Sequence, residues 1–234
     1  MHARVREHYN QVARQPPPRD HLRLLRVAHN HVKRDLLDRY MPRNGVVLDM
    51  ACGRGGDINK CIGCCAYYGV DIADDAVREL TRRAREVGVN AYTHVGCMMD
   101  ALPWPTLSAD VIVCNFALHY VCDSEQSCSR FLDNVVHHLP EYGVFCGTYL
   151  HVGNNDTRWG EYRVARVGKC VDGVPECVVP WKRVIQLAYS KGLCIIQWKP
   201  STEQVHADPS CWTFAFRIIR SSQGCLTDCT LSQC

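Results

Sequence analysis

The chain has 234 residues, 47% of them hydrophobic and 22% charged, with a formal net charge of +3, a balance ordinary for a soluble protein and long enough for one α/β domain with its own core. No run approaches the ~20 apolar residues that a membrane span needs, and no apolar h-region opens the chain as a signal peptide would. The sixteen cysteines therefore do not read as the disulfide framework of a small secreted protein, and a reduced intracellular compartment is expected.

Charge is uneven. Residues 1–43 hold ten Arg or Lys against four acids, so a basic leading segment favours an anionic partner such as nucleic acid, with a solvated helix face as the alternative. Residues 1–15 read as a short polar helix or arm, closed by Pro16, Pro17 and Pro18. Asp20 can cap a second helix running to about Tyr40, which Met41 and Pro42 stop. Leu25, Ala28, Val32 and Leu36 recur at helical steps and should face the core. Arg26, His29, Asn30 and Lys33 share a different face.

An apolar run from Val46 to Leu48 then ends in Asp49, as a buried parallel strand does when it delivers an acid to its carboxyl end. Gly53, Gly55 and Gly56 follow, letting the backbone turn tightly and lie close to a ligand. A second apolar run, Ala66 to Val70, ends in Asp71, 18 residues after Gly53. That is near the spacing of roughly 20 at which an acid meets a ribose 2′-hydroxyl in nucleotide-binding βαβ units. Between the two runs, Cys61, Cys64 and Cys65 form the one C-x-x-C, with no second pair to complete a zinc site. No metal is expected.

Further along, Asp74 can cap a helix to about Val87 carrying Arg78, Arg82, Arg83 and Arg85, expected mostly at the solvent. Ala91–Val95 reads as a third strand, with Gly96, Cys97 and Met98 in the loop at its end. Asp110–Asn115 is a fourth, buried strand, followed by Phe116, Ala117, Leu118, His119 and Tyr120. A helix from about Glu125 to His138 and a fifth strand at Gly143–Tyr149 complete the series. Cys52, Cys114, Cys146 and Cys194 sit within apolar, strand-like runs, where a thiol acts as a small hydrophobe.

Strand and helix alternate from 46 to 149, the pattern of a Rossmann-like doubly wound, mostly parallel sheet, expected here with seven strands. Ligands bind such sheets at the carboxyl ends of the strands, where Asp49, Asp71, Cys97, Asn115 and Tyr120 all fall. Residues 151–178 break the alternation with two short β-like runs, Tyr162–Val167 and Val178–Val179, which read as a β insertion over those strand ends. A helix from Pro180 to Lys191 and strands at Cys194–Trp198 and Trp212–Ile219 follow. One domain over residues 1–220 is expected, with residues 221–234 a loose tail.

A dinucleotide fingerprint counted from Gly53 would place its third glycine at position 58, where Ile58 stands. Asp49-Met50-Ala51-Cys52-Gly53-Arg54-Gly55 instead resembles D-x-[GA]-x-G-x-G, the glycine motif of S-adenosylmethionine-dependent methyltransferases. The resemblance implies S-adenosylmethionine lying across this loop, with the Asp71 carboxylate on its ribose.

Several segments together resemble one family, the mRNA cap (guanine-N7) methyltransferases, over roughly residues 5–220. H-Y-N at 8–10, L-R-x-x-x-N-x-x-K from Leu25 to Lys33, L-D-M-A-C-G-R-G-G-D, V-D-I-A-D, C-N-F-A-L-H-Y and V-P-E-C-V-V appear in the family's order. The resemblance implies that Lys33, Asp49, Ala51, Gly53, Asp71, Cys97, Asn115 (Gln in the family) and Tyr120 hold the methyl donor. It implies that His29, Asn30, His119, Tyr120 and Glu176 face the cap guanosine of a 5′-capped mRNA. A guanylyltransferase or other capping-enzyme subunit is a further expected partner, and the nucleus, or the cytoplasm for a viral protein, the expected compartment.

The chemistry suits these types. Guanine offers N1–H and N2–H₂ as adjacent donors, and the Glu176 carboxylate accepts both; His119 and Tyr120 suit stacking on or bonding to a base or ribose. Guanine N7 has a lone pair and no proton, so attack on the sulfonium methyl needs no general base, only in-line approach and a suitable field. Cys97 stands where the family has an acid toward the adenine amino group, so that contact is expected from backbone or from Asp100. The remaining alternatives are methylation of another RNA position or a small molecule, or a non-catalytic donor-binding subunit.

Overall fold

In the computed structural model, which describes residues 2–14, 23–151, 157–164, 175–201 and 211–218, the alternation becomes a seven-stranded sheet in the order β3-β2-β1-β4-β5-β9-β8. β1 (Val46–Asp49), β2 (Ala66–Asp71), β3 (Ala91–Val95), β4 (Val111–Asn115) and β5 (Val144–Leu150) are parallel. β8 (Leu193–Pro200) and β9 (Cys211–Ile218) close one edge, β9 antiparallel to both β5 and β8. The order reverses between β1 and β4, so the carboxyl ends of these two strands open on the crevice where doubly wound sheets bind ligands.

Side-chain alternation along each strand builds two apolar layers. Val47, Val111 and Val113 face one side with Tyr67, Leu36, Leu37 and Leu80, beneath α2 (Arg23–Tyr40) and α3 (Asp74–Glu86). Leu48, Ile112 and Cys114 face the other with Phe131, Leu132, Phe145 and Trp181, beneath α4 (Glu125–His138) and α5 (Trp181–Ser190). Each such large side chain, fully buried, contributes ~1.5–3 kcal/mol. Cys52, Cys114 and Cys146 are buried in these layers, whereas Cys194 is only half-buried. Burial pushes the Cys52 and Cys114 thiols up, which leaves neither as a nucleophile near neutral pH.

Several boundaries differ from expectation. Residues 162–164 and 175–177 pair antiparallel as β6 and β7, so the second strand of the insertion is Pro175–Cys177, not Val178–Val179. Pro180 precedes α5 as its cap residue, and Ala73, not Asp74, precedes α3. Asp74 is engaged by the leading segment instead. α1 (His2–Arg14) docks on the start of α3, with Asn10 Nδ2 donating to Asp74 Oδ1 (2.8 Å) and Asp75 N donating to Asn10 Oδ1 (3.1 Å). Arg14 pairs with Asp75 at 2.8 Å and Arg6 reaches Asp74 at 3.5 Å. Part of the basic excess of residues 1–43 is therefore neutralised within the fold. Asp20 and residues 221–234 lie outside the described residues.

Candidate active site

Beyond β1 the chain passes over the carboxyl ends of its neighbours β4 and β2, with Met50 N donating to Val113 O (2.9 Å) and Cys52 N to Val70 O (3.0 Å). Gly53 (φ +48°) and Gly55 (φ +71°) then turn it. Both φ values lie where glycine is favoured. Asp71 anchors the turn: Gly53 N donates to its Oδ2 (2.8 Å) and Ala73 N to its Oδ1 (2.9 Å). Each oxygen keeps a lone pair for a second donor. Burial lifts this carboxyl above its usual range, against the pull of those amides.

Asp49 takes a different place from the one expected. It lies behind the loop, 3% exposed, accepting from Tyr67 Oη (2.8 Å) and Ala51 N (3.2 Å). Burial, with Asp57 nearby, pushes it up to about 7. Its role is to hold the first turn of the loop. The parallel register explains this: Asp49 pairs with Gly69 and Val113, while Asp71 stands two residues further out.

Lys33 and Asn30 are also drawn beneath the loop. Lys33 Nζ and Lys60 Nζ each lie 2.7 Å from Asp57 Oδ1. Lys60 Nζ donates further to Asn30 Oδ1 (3.0 Å) and Gly56 O (3.2 Å). Asp57 Oδ2 accepts from Asn115 Nδ2 (3.2 Å), whose Oδ1 accepts from Thr148 Oγ1 (3.2 Å). Burial would raise Asp57, but the two ammonium groups outweigh it and hold the carboxyl low. The Asn30 carbonyl is thus engaged by a lysine while the residue itself stays exposed, and Lys33 stands behind the cavity wall.

The cavity holds about 270 Å³ and lies over these strand ends. Ala51, Gly53, Asp71, Cys97, Asn115 and Tyr120 line it, with Val5, Tyr9, Met50, Ile72, Met98, Met99 and Phe116 supplying most of its apolar wall. Asp100 does not: it is 64% exposed in its side chain and pairs with Arg130 at 2.7 Å, so it is not the substitute acid expected beside Cys97.

At the Tyr120 end the turn after β4 is aromatic. Phe116 adopts φ +53°, uncommon for a bulky side chain, and its N–H donates to Thr148 O (2.8 Å). His29 packs on the Phe116 ring with centroids 4.5 Å apart. Leu118–Val121 form a 3₁₀ turn that sets His119 against Tyr120, ring centroids 4.0 Å apart and planes tilted by 51°. His119 Nε2 is 3.7 Å from Glu176 Oε1, too long for a hydrogen bond, and is buried with no partner among the described residues. Burial pulls His119 down to about 4, so the pair is a neutral imidazole facing a carboxyl that burial has raised.

The sequence profile of the mRNA (guanine-N(7))-methyltransferase domain matches residues 1–154. The chain belongs to this family. Among curated members, the mRNA cap guanine-N(7) methyltransferase of Eremothecium gossypii is 32% identical over 84% of this chain and 58% of its own length. That of Saccharomyces cerevisiae is 26% identical over 84% of this chain and 57% of its own. The chain thus spans a little over half the length of these relatives. The fold matches S-adenosylmethionine-dependent methyltransferases, as in the N-methyltransferase NodS from Bradyrhizobium japonicum (TM-score 0.66, 17% identity, 92% of this chain and 99% of that one).

Two residues of this guanine-N7 methyltransferase domain escaped the assignment of single positions, although their motifs were visible. Tyr9 is the centre of H-Y-N, and Asp57 ends G-G-D. Neither periodicity nor spacing says which way such a residue points. Phe116 was visible within C-N-F-A-L-H-Y, but its positive φ was not, and Lys60 acts through a buried ion pair with Asp57 that no spacing reveals.

Proposed function

We propose that the chain transfers the methyl group of S-adenosylmethionine to N7 of the guanosine cap of mRNA. The observation that carries this is the facing of two unlike halves across Tyr120. On one side is a mostly apolar cavity with the Asp71 carboxylate holding a glycine turn; on the other is the Glu176 carboxyl beside a His119 nitrogen with no partner among the described residues.

The donor's chemistry fits the residues present. A Cβ on Gly53 would meet no atom within 4 Å, so the turn leaves room for a ligand against its backbone. Asp71 would hold the ribose hydroxyls, and Ile72, Met98 and Met99 would flank an adenine. The buried cluster of Lys33, Lys60 and Asp57 carries one positive charge in excess, which suits the donor's carboxylate near that end. S-adenosylmethionine supplies a methyl on a sulfonium, and every other requirement falls on the chain.

Glu176, ionised, would accept from guanine N1–H and N2–H₂ and so favour the cationic 7-methyl product. His119, neutral above about pH 4, adds no competing positive charge there. No general base is needed, and the Cys52 and Cys114 thiols are not one. Selection then rests on leaving Glu176 unpaired when the base is adenine, a loss of ~1–3 kcal/mol.

Methyl transfer from labelled S-adenosylmethionine to GpppG-capped, GpppA-capped and uncapped RNA tests this. Transfer to GpppG ends should exceed GpppA ends by roughly tenfold or more, and Glu176→Gln should remove that preference while leaving donor binding intact. Equal transfer to all three RNAs would overturn it.

A further inference from the structure

Tyr9 comes from α1 and Tyr120 from the 3₁₀ turn after β4, and their hydroxyl oxygens lie 2.5 Å apart with the rings near perpendicular, 87° at 6.0 Å. We propose, building on the function above, that Tyr9 is a positioning residue of the methyl-transfer site, delivered by α1 to fix the Tyr120 hydroxyl beside the reacting atoms.

The placement of Tyr9 is not accidental to a loosely packed arm. Its neighbour Asn10 makes two hydrogen bonds to the first residues of α3, and Arg14 pairs with Asp75 one turn later. These bonds set the rotation of α1. Val5, four residues before Tyr9 and so on the same helix face, lines the same cavity. The segment that reads in sequence as a short polar helix or arm supplies part of the wall of the donor cavity.

The pair has two hydroxyl protons and one bond between them. Among the described residues neither oxygen has a further hydrogen-bond partner, so one O–H and the spare lone pairs face the cavity. Burial raises both phenols, Tyr9 to about 12, and the acids closest to them, Glu176 and Asp71, raise them further. Both therefore remain protonated throughout the neutral range. A lone Tyr120 hydroxyl has two in-plane orientations; the bond to Tyr9, whichever of the two donates, leaves it one. Asp71 on the donor side and Glu176 on the acceptor side both act on this pair, which puts it at the junction of the two halves. A fixed dipole at that junction favours the transfer geometry without reorganising as charge moves from sulfur to guanine.

Tyr9→Phe keeps the ring and removes the oxygen, so the chain should melt at the wild-type temperature and bind S-adenosylhomocysteine within about twofold of wild type. Its kcat on GpppG-capped RNA should fall by roughly tenfold. Tyr120→Phe should behave similarly, and the double variant should be little worse than either single one, because the two hydroxyls act as a unit. A wild-type kcat for Tyr9→Phe, or single losses that multiply in the double variant, would overturn the proposal. Wild-type protein that binds donor yet transfers nothing to capped RNA would instead overturn the functional reading, and the two failures are distinct.

Discussion

Lys33 and Lys60 share one carboxylate oxygen: both ammonium nitrogens lie 2.7 Å from Oδ1 of Asp57. All three groups are largely buried, with side-chain exposures of 14%, 5% and 11%. Two cations on one anion are tolerable only because Gly56 O and Asn30 Oδ1 share the load on Lys60. Asp57→Asn would leave two buried ammonium groups without a counter-charge and should cost about 3–5 kcal/mol in urea unfolding. Lys60→Met leaves Lys33 and Asp57 as a balanced pair and should cost less. Equal stability of Asp57→Asn and wild type would mean that water, not Asp57, solvates the lysines.

The same cluster marks how far the sequence could be read. Strand ends and their acids were legible, because apolar runs of strand length punctuated by Asp49, Gly53 and Asp71 admit few other arrangements. The doubly wound, mostly parallel sheet followed from alternation of strand and helix, whereas its strand order is seen only in the fold. Which acid faces the ligand was not legible, since one strand register decides that Asp71 reaches the cavity and Asp49 does not. Lys33 gave the same difficulty. On a helix its spacing with Arg26 and His29 reads as a solvated stripe, and only the pairing with Asp57 takes Lys33 largely out of solvent, while Asn30 on the same face stays exposed.

The basic leading segment offers a second prediction, now on corrected terms. Arg6 and Arg14 are tied to α3, and Lys33 is buried on Asp57, so these three should not contribute to RNA affinity. Arg4, Arg34 and Arg43 are exposed. Neutralising Arg4, Arg34 and Arg43 together should reduce the slope of log affinity against log salt by about 2, from roughly 0.7 per phosphate contact on a single strand. The check is capped-RNA binding between about 50 and 200 mM salt; an unchanged slope would assign the contacts elsewhere.

His119 should leave a mark on stability at acid pH. Its folded value of about 4 lies below the ordinary 6.5, so between those values the unfolded chain holds a proton that the folded chain does not. Stability from this group is therefore complete above about 6.5 and is lost as pH falls toward 4, by up to about 3 kcal/mol. Asp49, lifted to about 7 from 3.8, slopes the opposite way, its contribution fading as pH rises through that interval. Comparing wild type with His119→Gln cancels Asp49 and isolates the histidine. The stability gap between the two should narrow from pH 7 to pH 5 in parallel denaturant titrations. A constant gap would show that His119 titrates equally in both states.

Asp71 has two tasks that a substitution can separate. Its oxygens receive Gly53 N and Ala73 N at 2.8 and 2.9 Å, which shapes the glycine turn, and their outer lone pairs face the cavity that Asp71 lines. Asp71→Asn keeps one carbonyl oxygen but turns an NH₂ toward a backbone N–H or a ribose hydroxyl. Asp71→Ala removes all four acceptor directions. Charge-assisted bonds to a ribose are worth ~1.5–3 kcal/mol each, so S-adenosylhomocysteine affinity by calorimetry should fall at least roughly tenfold in either variant. The unfolding free energy should fall by only ~1–2 kcal/mol, since the turn keeps Gly55 N on Cys52 O at 3.0 Å. If Asp71→Ala binds the product as wild type does while losing stability, the carboxylate is a strut for the loop alone, and the ribose must be held by another part of the cavity wall.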